Sequence, residues 1–180
     1  SILKLKSMND KNLKIAPGKY RTYIAPAGVA DLVDMFSWGG ISESAIRQGA
    51  SAFCKMRDEN VSLNSKFNLS ENFDLGLMSR FNSCGELSPI KLDLISSGVL
   101  KNTLISSRTA LEYNLLSNKA EVGEGLRTPI VETGDLLKKD ILKEIDSGIY
   151  LSNLHYLNWS DQPNGRITGM TRYASFWVEN

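Results

Sequence analysis

The stretch Pro89-Ile-Lys-Leu-Asp-Leu-Ile95, Ser96-Ser-Gly98, Val99-Leu-Lys-Asn-Thr-Leu-Ile105 decides the fold. Its two arms alternate apolar and polar residues, which places one set of side chains on each face of a pleated strand. Between them Ser97-Gly98 supplies a short turn in which glycine can take a left-handed conformation, so the stretch reads as a β-hairpin. The texture then changes at once. From Ser107 to Leu116 the period is helical, with Ser106 or Ser107 as the cap and Ala110, Leu111 and Leu115 on one face. A hairpin running into a helix, with no β-α-β alternation, argues for an α+β chain.

The same contrast extends outward. Lys19 to Ala25 reads as a strand after the turn pair Pro17-Gly18, and Pro26 suits a first helical turn. Val29, Leu32, Val33 and Phe36 form a helical stripe, broken at Gly39-Gly40 and resumed from Ile41 to Ala52. Val61 to Glu86 is polar and rich in Asn and Ser, read as a long loop or an irregular strand pair. Asn118 to Thr128 is a second polar loop. Leu136 to Ile145 is expected to be a helix closed by Ser147-Gly148. Strands follow at Ile149 to Leu154, Ile167 to Thr171 and Tyr173 to Val178, with a turn-rich loop over Asn158 to Gly165. The expected fold is therefore α+β, with antiparallel hairpins and a mixed sheet packed with three to four helices. Residues 1–180 are read as one domain, a fragment of a larger protein.

Composition narrows the function classes. Hydrophobic residues make up 42% and charged residues 23%, ordinary for a globular chain with a real core. Twenty-one Lys+Arg against twenty Asp+Glu give a formal charge of +1, too balanced for the basic face that phosphate neutralisation requires. Nucleic acid is thus a disfavoured partner. No run of about 20 apolar residues suggests a membrane span, and a cytoplasmic location is expected. Cys54 and Cys84 lack metal or disulfide spacing and read as reduced, buried or half-buried thiols.

No catalytic or metal set is legible, and no cofactor is expected in this fragment. His155 is the single histidine and has no second imidazole to share a metal. No G-x-S-x-G elbow is present, and Gly123-Glu-Gly125 carries the wrong charge to cradle phosphate. The carboxylate pairs Glu121/Glu124 and Asp140/Glu144 read as solvated faces. What remains is the run Asn153-Leu-His-Tyr-Leu-Asn-Trp159, where Asn153, His155, Tyr156 and Trp159 combine hydrogen-bonding tips with flat apolar bodies. Those four are the candidate peptide- or partner-binding residues. The competing reading is that Tyr156 and Trp159 only fill the core.

Taken together, Pro17-Gly-Lys-Tyr20, Arg47-Gln-Gly-Ala-Ser51-Ala-Phe53, Ser107-Arg-Thr-Ala110, Gly148-Ile-Tyr150, Gly165-Arg-Ile and Ala174-Ser-Phe-Trp-Val-Glu-Asn180 resemble the C-terminal region of the TldD/PmbA family, and the late stretch from Leu151 to Asn180 looks most like its cyanobacterial members. The resemblance implies a relative of zinc-dependent peptidases acting on unfolded or modified peptides, also known as modulators of DNA gyrase. Zinc-bearing members use an H-E-x-x-x-H helix and a more distal cysteine. Aligned on Arg47 to Ser51, that pattern puts Asp34, Met35 and Gly39 where His, Glu and His would stand, and the cysteine beyond Asn180. The chain therefore resembles the zinc-free, PmbA-like branch. The implied partners are a TldD-like zinc-bearing subunit, or a second copy, and unfolded peptides. The alternatives are a metallopeptidase whose site is completed outside this fragment, and a gyrase-modulating binding protein.

Overall fold

A computed structural model of the chain describes residues 13–179, which gather into two compact units. The first combines the residues up to Leu32, Asp135–Leu157 and the residues from Gly169 onward. Its sheet is mixed. Strand β1 (Thr22–Ile24) runs parallel to β6 (Ser147–Leu151), with Thr22 opposite Ile149, and β9 (Phe176–Glu179) pairs antiparallel on the far side of β6. Helix α1 (Pro26–Asp34) follows β1 directly, its first proline losing only an amide that would have had no helical partner. Gly148 lies so close to the Arg21 carbonyl that a side chain there would force β1 off β6.

The second unit combines Val33–Gly134 with Asn158–Thr168. Its sheet is antiparallel, in the order β4 (Val99–Leu100), β3 (Lys91–Ser96), β2 (Leu69–Asn72), β5 (Pro129–Val131). Around it stand a 3-10 turn (Met35–Ser37) and the short helices α2 (Glu43–Arg47), α3 (Cys54–Asp58) and α4 (Ser107–Tyr113). Met35, Ile41, Leu69, Leu94 and Ile95, each no more than 1% exposed, form the core of this unit. Helix α5 (Ile141–Ile145) belongs to the first unit. A long hairpin, β7 (Asn153–Asp161) with β8 (Arg166–Arg172), contributes residues to each unit in turn.

The α+β class stands, and the hairpin turn at Ser96-Ser97-Gly98 forms as expected, with φ of 75° at Gly98, but its second arm is only Val99–Leu100 and not the expected Val99 to Ile105. Helix α4 is capped by Ser106, whose side chain accepts from the Thr109 amide, and it ends at Asn114 in a left-handed conformation. Its buried side is Thr109 and Ala110; Leu111 is 87% exposed, contrary to the expected face. The resumed helix over Ile41 to Ala52 shrinks to Glu43–Arg47, because Gly49 takes φ of 70° and stops it. A further helix, α3, starts at Cys54. Leu136 to Asp140 is not helical. The turn into β6 falls on Asp146, with φ of 59°, not on Ser147-Gly148, which already belong to the strand. Asn158 to Asp161 continues β7, so the expected loop is reduced to the tip at 162–165. Cys84 is exposed, not buried.

Candidate functional site

Strand β7 carries all four candidate binding residues. Tyr156 has φ of 50°, a left-handed conformation inside a strand, and from there the strand alternates cleanly: Leu157, Trp159 and Asp161 are half-buried, while Tyr156, Asn158 and Ser160 face solvent. A non-glycine residue at positive φ inside a ladder is uncommon and breaks the pleat locally. That break explains why the sequence alternates awkwardly at Asn153 to Tyr156.

In the first unit, the break brings the His155 and Tyr156 rings together, with centroids 4.1 Å apart and tilted by 41°. Arg172 Nη1 sits 3.0 Å from Nδ1 of His155 and 3.1 Å from Nε2. One nitrogen nearly equidistant from both ring nitrogens lies over the ring, not in line with either lone pair. The same guanidinium covers Tyr173 at 4.9 Å, giving a cation-and-aromatic surface on which Tyr156 and Tyr173 are 73% and 67% exposed. Asn153 is half-buried at the start of the strand, and the next residue's amide, Leu154 N–H, donates to Asp31 at 2.9 Å. In the second unit Trp159 is half-buried, and its indole Nε1 is shut away from solvent without a hydrogen-bond partner among the described residues.

The helix positions equivalent to a zinc motif do not fit a metal. Asp34 is exposed, Met35 is 1% exposed and packed in the core, and Gly39 has no side chain and takes φ of 83°. An isolated carboxylate at Asp34 and no side chain at Gly39 cannot replace two imidazoles, and the buried thioether of Met35 cannot replace the glutamate between them. Among the described residues no three His, Cys, Asp or Glu side chains converge as a metal site.

Three buried carboxylates were invisible as such in the sequence. Glu124, 1% exposed, accepts from Ser42 Oγ (2.6 Å), Ser44 N–H (2.9 Å) and Ser106 N–H (2.8 Å), so the expectation of a solvated face at Glu121/Glu124 is overturned for Glu124. Ser42 and Ser106 are the caps of α2 and α4, and a carboxylate at two helix starts answers both dipoles. Glu43, 4% exposed, binds Thr103 Oγ1 (2.6 Å), Arg47 (2.8 Å) and Arg57 (2.8 Å). Burial raises its pKa first, but the bonds from Thr103, Arg47 and Arg57 outweigh this and hold it below the ordinary value. Glu71, 4% exposed, accepts the amides of Arg127 and Thr128 at 2.8 and 3.0 Å, both on Oε1, and burial pushes it up. These groups brace the loops of the second unit; none faces a cavity suited to chemistry.

A cleft of about 520 Å³ opens in the first unit beside β1. Arg21, Thr22 and Tyr23 line one side, and Asp135, Asp140 and Glu144 line the other with Leu136 and Ile141.

Comparison with known proteins identifies the fold. The sequence matches the PmbA/TldA metallopeptidase C-terminal domain over residues 17–180. No curated protein matches it. Among solved structures it is similar to a protein from Thermotoga maritima described as a modulator of DNA gyrase, at 22% identity and a TM-score of 0.73, covering 93% of this chain and 40% of that one. A Bacteroides thetaiotaomicron protein described in the same words gives 19% identity and a TM-score of 0.76, covering 93% and 37%. TldE from Thermococcus kodakarensis gives 19% and 0.69, covering 92% and 40%. The chain thus spans about 40% of the length of these relatives. With its hairpins, short helices and mixed sheet in this order, the chain belongs to the PmbA/TldD family, as its C-terminal domain.

Proposed function

We propose that this domain serves a non-catalytic, peptide-handling subunit of a TldD/PmbA-type proteolytic complex acting on unfolded or modified peptides in the cytoplasm. The observation that carries the reading is the fate of the zinc-helix positions: Met35 is spent on the core and Gly39 offers no ligand atom. Without a metal-activated water or a nucleophile held by a base, peptide hydrolysis has no agent within the described residues. The similarity to a TldE supports a role beside a zinc-bearing partner, or with a second copy of the chain. The surface of His155, Tyr156, Arg172 and Tyr173 supplies planar apolar faces and donors of the kind that hold peptides or partners.

The deciding experiment mixes the full-length protein with a TldD-like zinc-bearing subunit and follows cleavage of an unfolded peptide by mass spectrometry. Turnover is expected in the mixture alone and should survive Asp34→Ala in this chain. Turnover by this protein alone, abolished by Asp34→Ala, would overturn the reading.

A further inference from the structure

The tip of the long hairpin carries a reactive pair of residues. Asn164-Gly165 lies on the turn between β7 and β8, within Asn158–Thr168 of the second unit. Lys55, on α3 of the same unit, donates from Nζ to Asn164 Oδ1 at 2.6 Å, across 109 positions of the chain. Asn164 Nδ2 donates in turn to Asp161 Oδ2 at 2.9 Å. An ammonium can only donate and a carboxylate can only accept, so the side-chain amide of Asn164 is held one way round. Its oxygen faces a cation and its nitrogen faces an anion.

A backbone amide attacks the preceding asparagine side chain most easily when it belongs to glycine, because no Cβ hinders the approach. Gly165 has φ of 65°, and a Cβ added there would meet nothing within 4 Å, so the tip is open on that side. Its N–H donates to the Gln162 carbonyl at 2.9 Å. That bond must open before the nitrogen can turn on Asn164 Cγ, and a turn bond at an exposed loop tip opens easily. Lys55 bears on the step that follows. Attack makes the amide carbon tetrahedral and places negative charge on Oδ1, and Nζ already stands at hydrogen-bond distance from that oxygen. A cation aimed where charge develops lowers the barrier, by less in water than in a closed site.

We infer that Asn164 is a self-modification site, at which Lys55 promotes closure of a succinimide ring and release of ammonia. Gly165 N forms a bond to Asn164 Cγ and gives up its proton; the Cγ–Nδ2 bond breaks, and Nδ2 takes up a proton and leaves as ammonia. Water then opens one of the two carbonyl bonds to the ring nitrogen, leaving aspartate or isoaspartate. No oxidant, reductant or cofactor enters. Either product brings a new carboxylate to Asp161 and Lys55. Isoaspartate also adds a methylene to the main chain, in the turn that sets the register of β7 on β8. Gln162, whose Nε2 donates to the Trp38 carbonyl at 2.9 Å, belongs to that turn, so the change reaches the tip's hold on the second unit. The inference is independent of the peptide-handling reading.

The test incubates the full chain at neutral pH for days, digests samples and follows the peptide that holds Asn164 by chromatography and mass spectrometry. The other asparagines of the chain serve as internal clocks. Asn164 should convert ahead of them to a mixture of aspartate and isoaspartate, through a species lighter by one ammonia. Lys55 is exposed, so Lys55→Ala should leave the fold intact, which thermal melting checks. That variant should slow the conversion by at least about threefold, and Lys55→Arg, which keeps a cation at the site, should restore most of the rate. A wild-type Asn164 that converts no faster than the other asparagines would overturn the site. Conversion unchanged or quickened in Lys55→Ala would overturn the role of Lys55, since its bond would then only be holding the amide still.

Discussion

Glu124 and Ser42 are joined by a 2.6 Å hydrogen bond between side chains 82 positions apart in the chain. The same carboxylate oxygen takes the Ser44 amide, and the other takes Ser106, so one acid ties the starts of α2 and α4 to the loop over 118–128. Both oxygens are used and both are buried. Glu124→Gln, whose amide nitrogen cannot accept, should therefore be destabilising, and Glu124→Ala more so. Each buried donor left without a partner costs about 1–3 kcal/mol, so the alanine variant should lose at least about 3 kcal/mol by urea unfolding.

Glu71 gives the opposite expectation. Its two amide donors converge on Oε1 alone, and burial raises its pKa. Glutamine keeps that oxygen and removes a charge that the interior resists. Glu71→Gln should be neutral or stabilising at pH 7, within about 1 kcal/mol; a loss as large as that of Glu124→Ala would show that the second oxygen matters.

Acid should unfold the protein partly through Glu43 and Glu86. The hydrogen bond from Ser107, then those of Asn82 and Lys119, hold Glu86 down to about 2, and Glu43 is also lowered from 4.5. A carboxyl lowered in the folded state binds its proton more tightly when unfolded, so its stabilisation is present above 4.5 and is lost as pH falls toward the folded value. Unfolding free energy measured from about pH 5 to about pH 2 should decline. Glu43→Gln should be less stable at neutral pH and show a flatter decline. A slope as steep as wild type would remove Glu43 from the account.

Trp159 separates packing from contact. Its indole N–H is enclosed without a partner among the described residues, so Trp159→Phe should cost little or even stabilise, whereas Trp159→Ala should lose about 3 kcal/mol or more if the ring is packing. His155→Ala, at a half-buried ring under Arg172, should leave stability within about 0.5 kcal/mol and weaken binding of peptide or partner. Unchanged binding in His155→Ala would return this part of β7 to a purely structural role.

Elemental analysis of the purified protein, freed of any tag, should find no stoichiometric zinc. About one zinc per chain surviving dialysis against a mild chelator would contradict the argument from Asp34, Met35 and Gly39.

Local signals served the sequence reading where the chain itself sets the geometry. Ser96-Ser97-Gly98 needs a left-handed glycine and gets it; Ser106 can reach the Thr109 amide whatever surrounds it. Long-range packing decided the rest. Leu137 looks like part of a helical stripe with Ile141 and Ile145, but only the last two find a core. Asn158 to Asp161 carries polar residues that suggest a loop, yet cross-strand pairing with β8 holds it extended. Glu124 sits between two glycines in a polar run, and nothing nearby announces that serines from two distant helices will close over it. That His155 and Tyr156 are neighbours was legible; the kink at Tyr156 that brings their rings together was not.

The pairing of β1 with β6 has a consequence for how the molecule is made. Thr22 meets Ile149, and residues 25–146 are synthesised between the two strands. At about 5–20 residues per second, a ribosome delivers β6 roughly 6–25 s after β1. The whole stretch from Val33 to Gly134 emerges in that interval with its own core and sheet. The antiparallel sheet of the second unit can therefore form while β1 still waits for β6, open to whatever extended segment reaches it first, although Asn158–Thr168 of that unit follows only after β6.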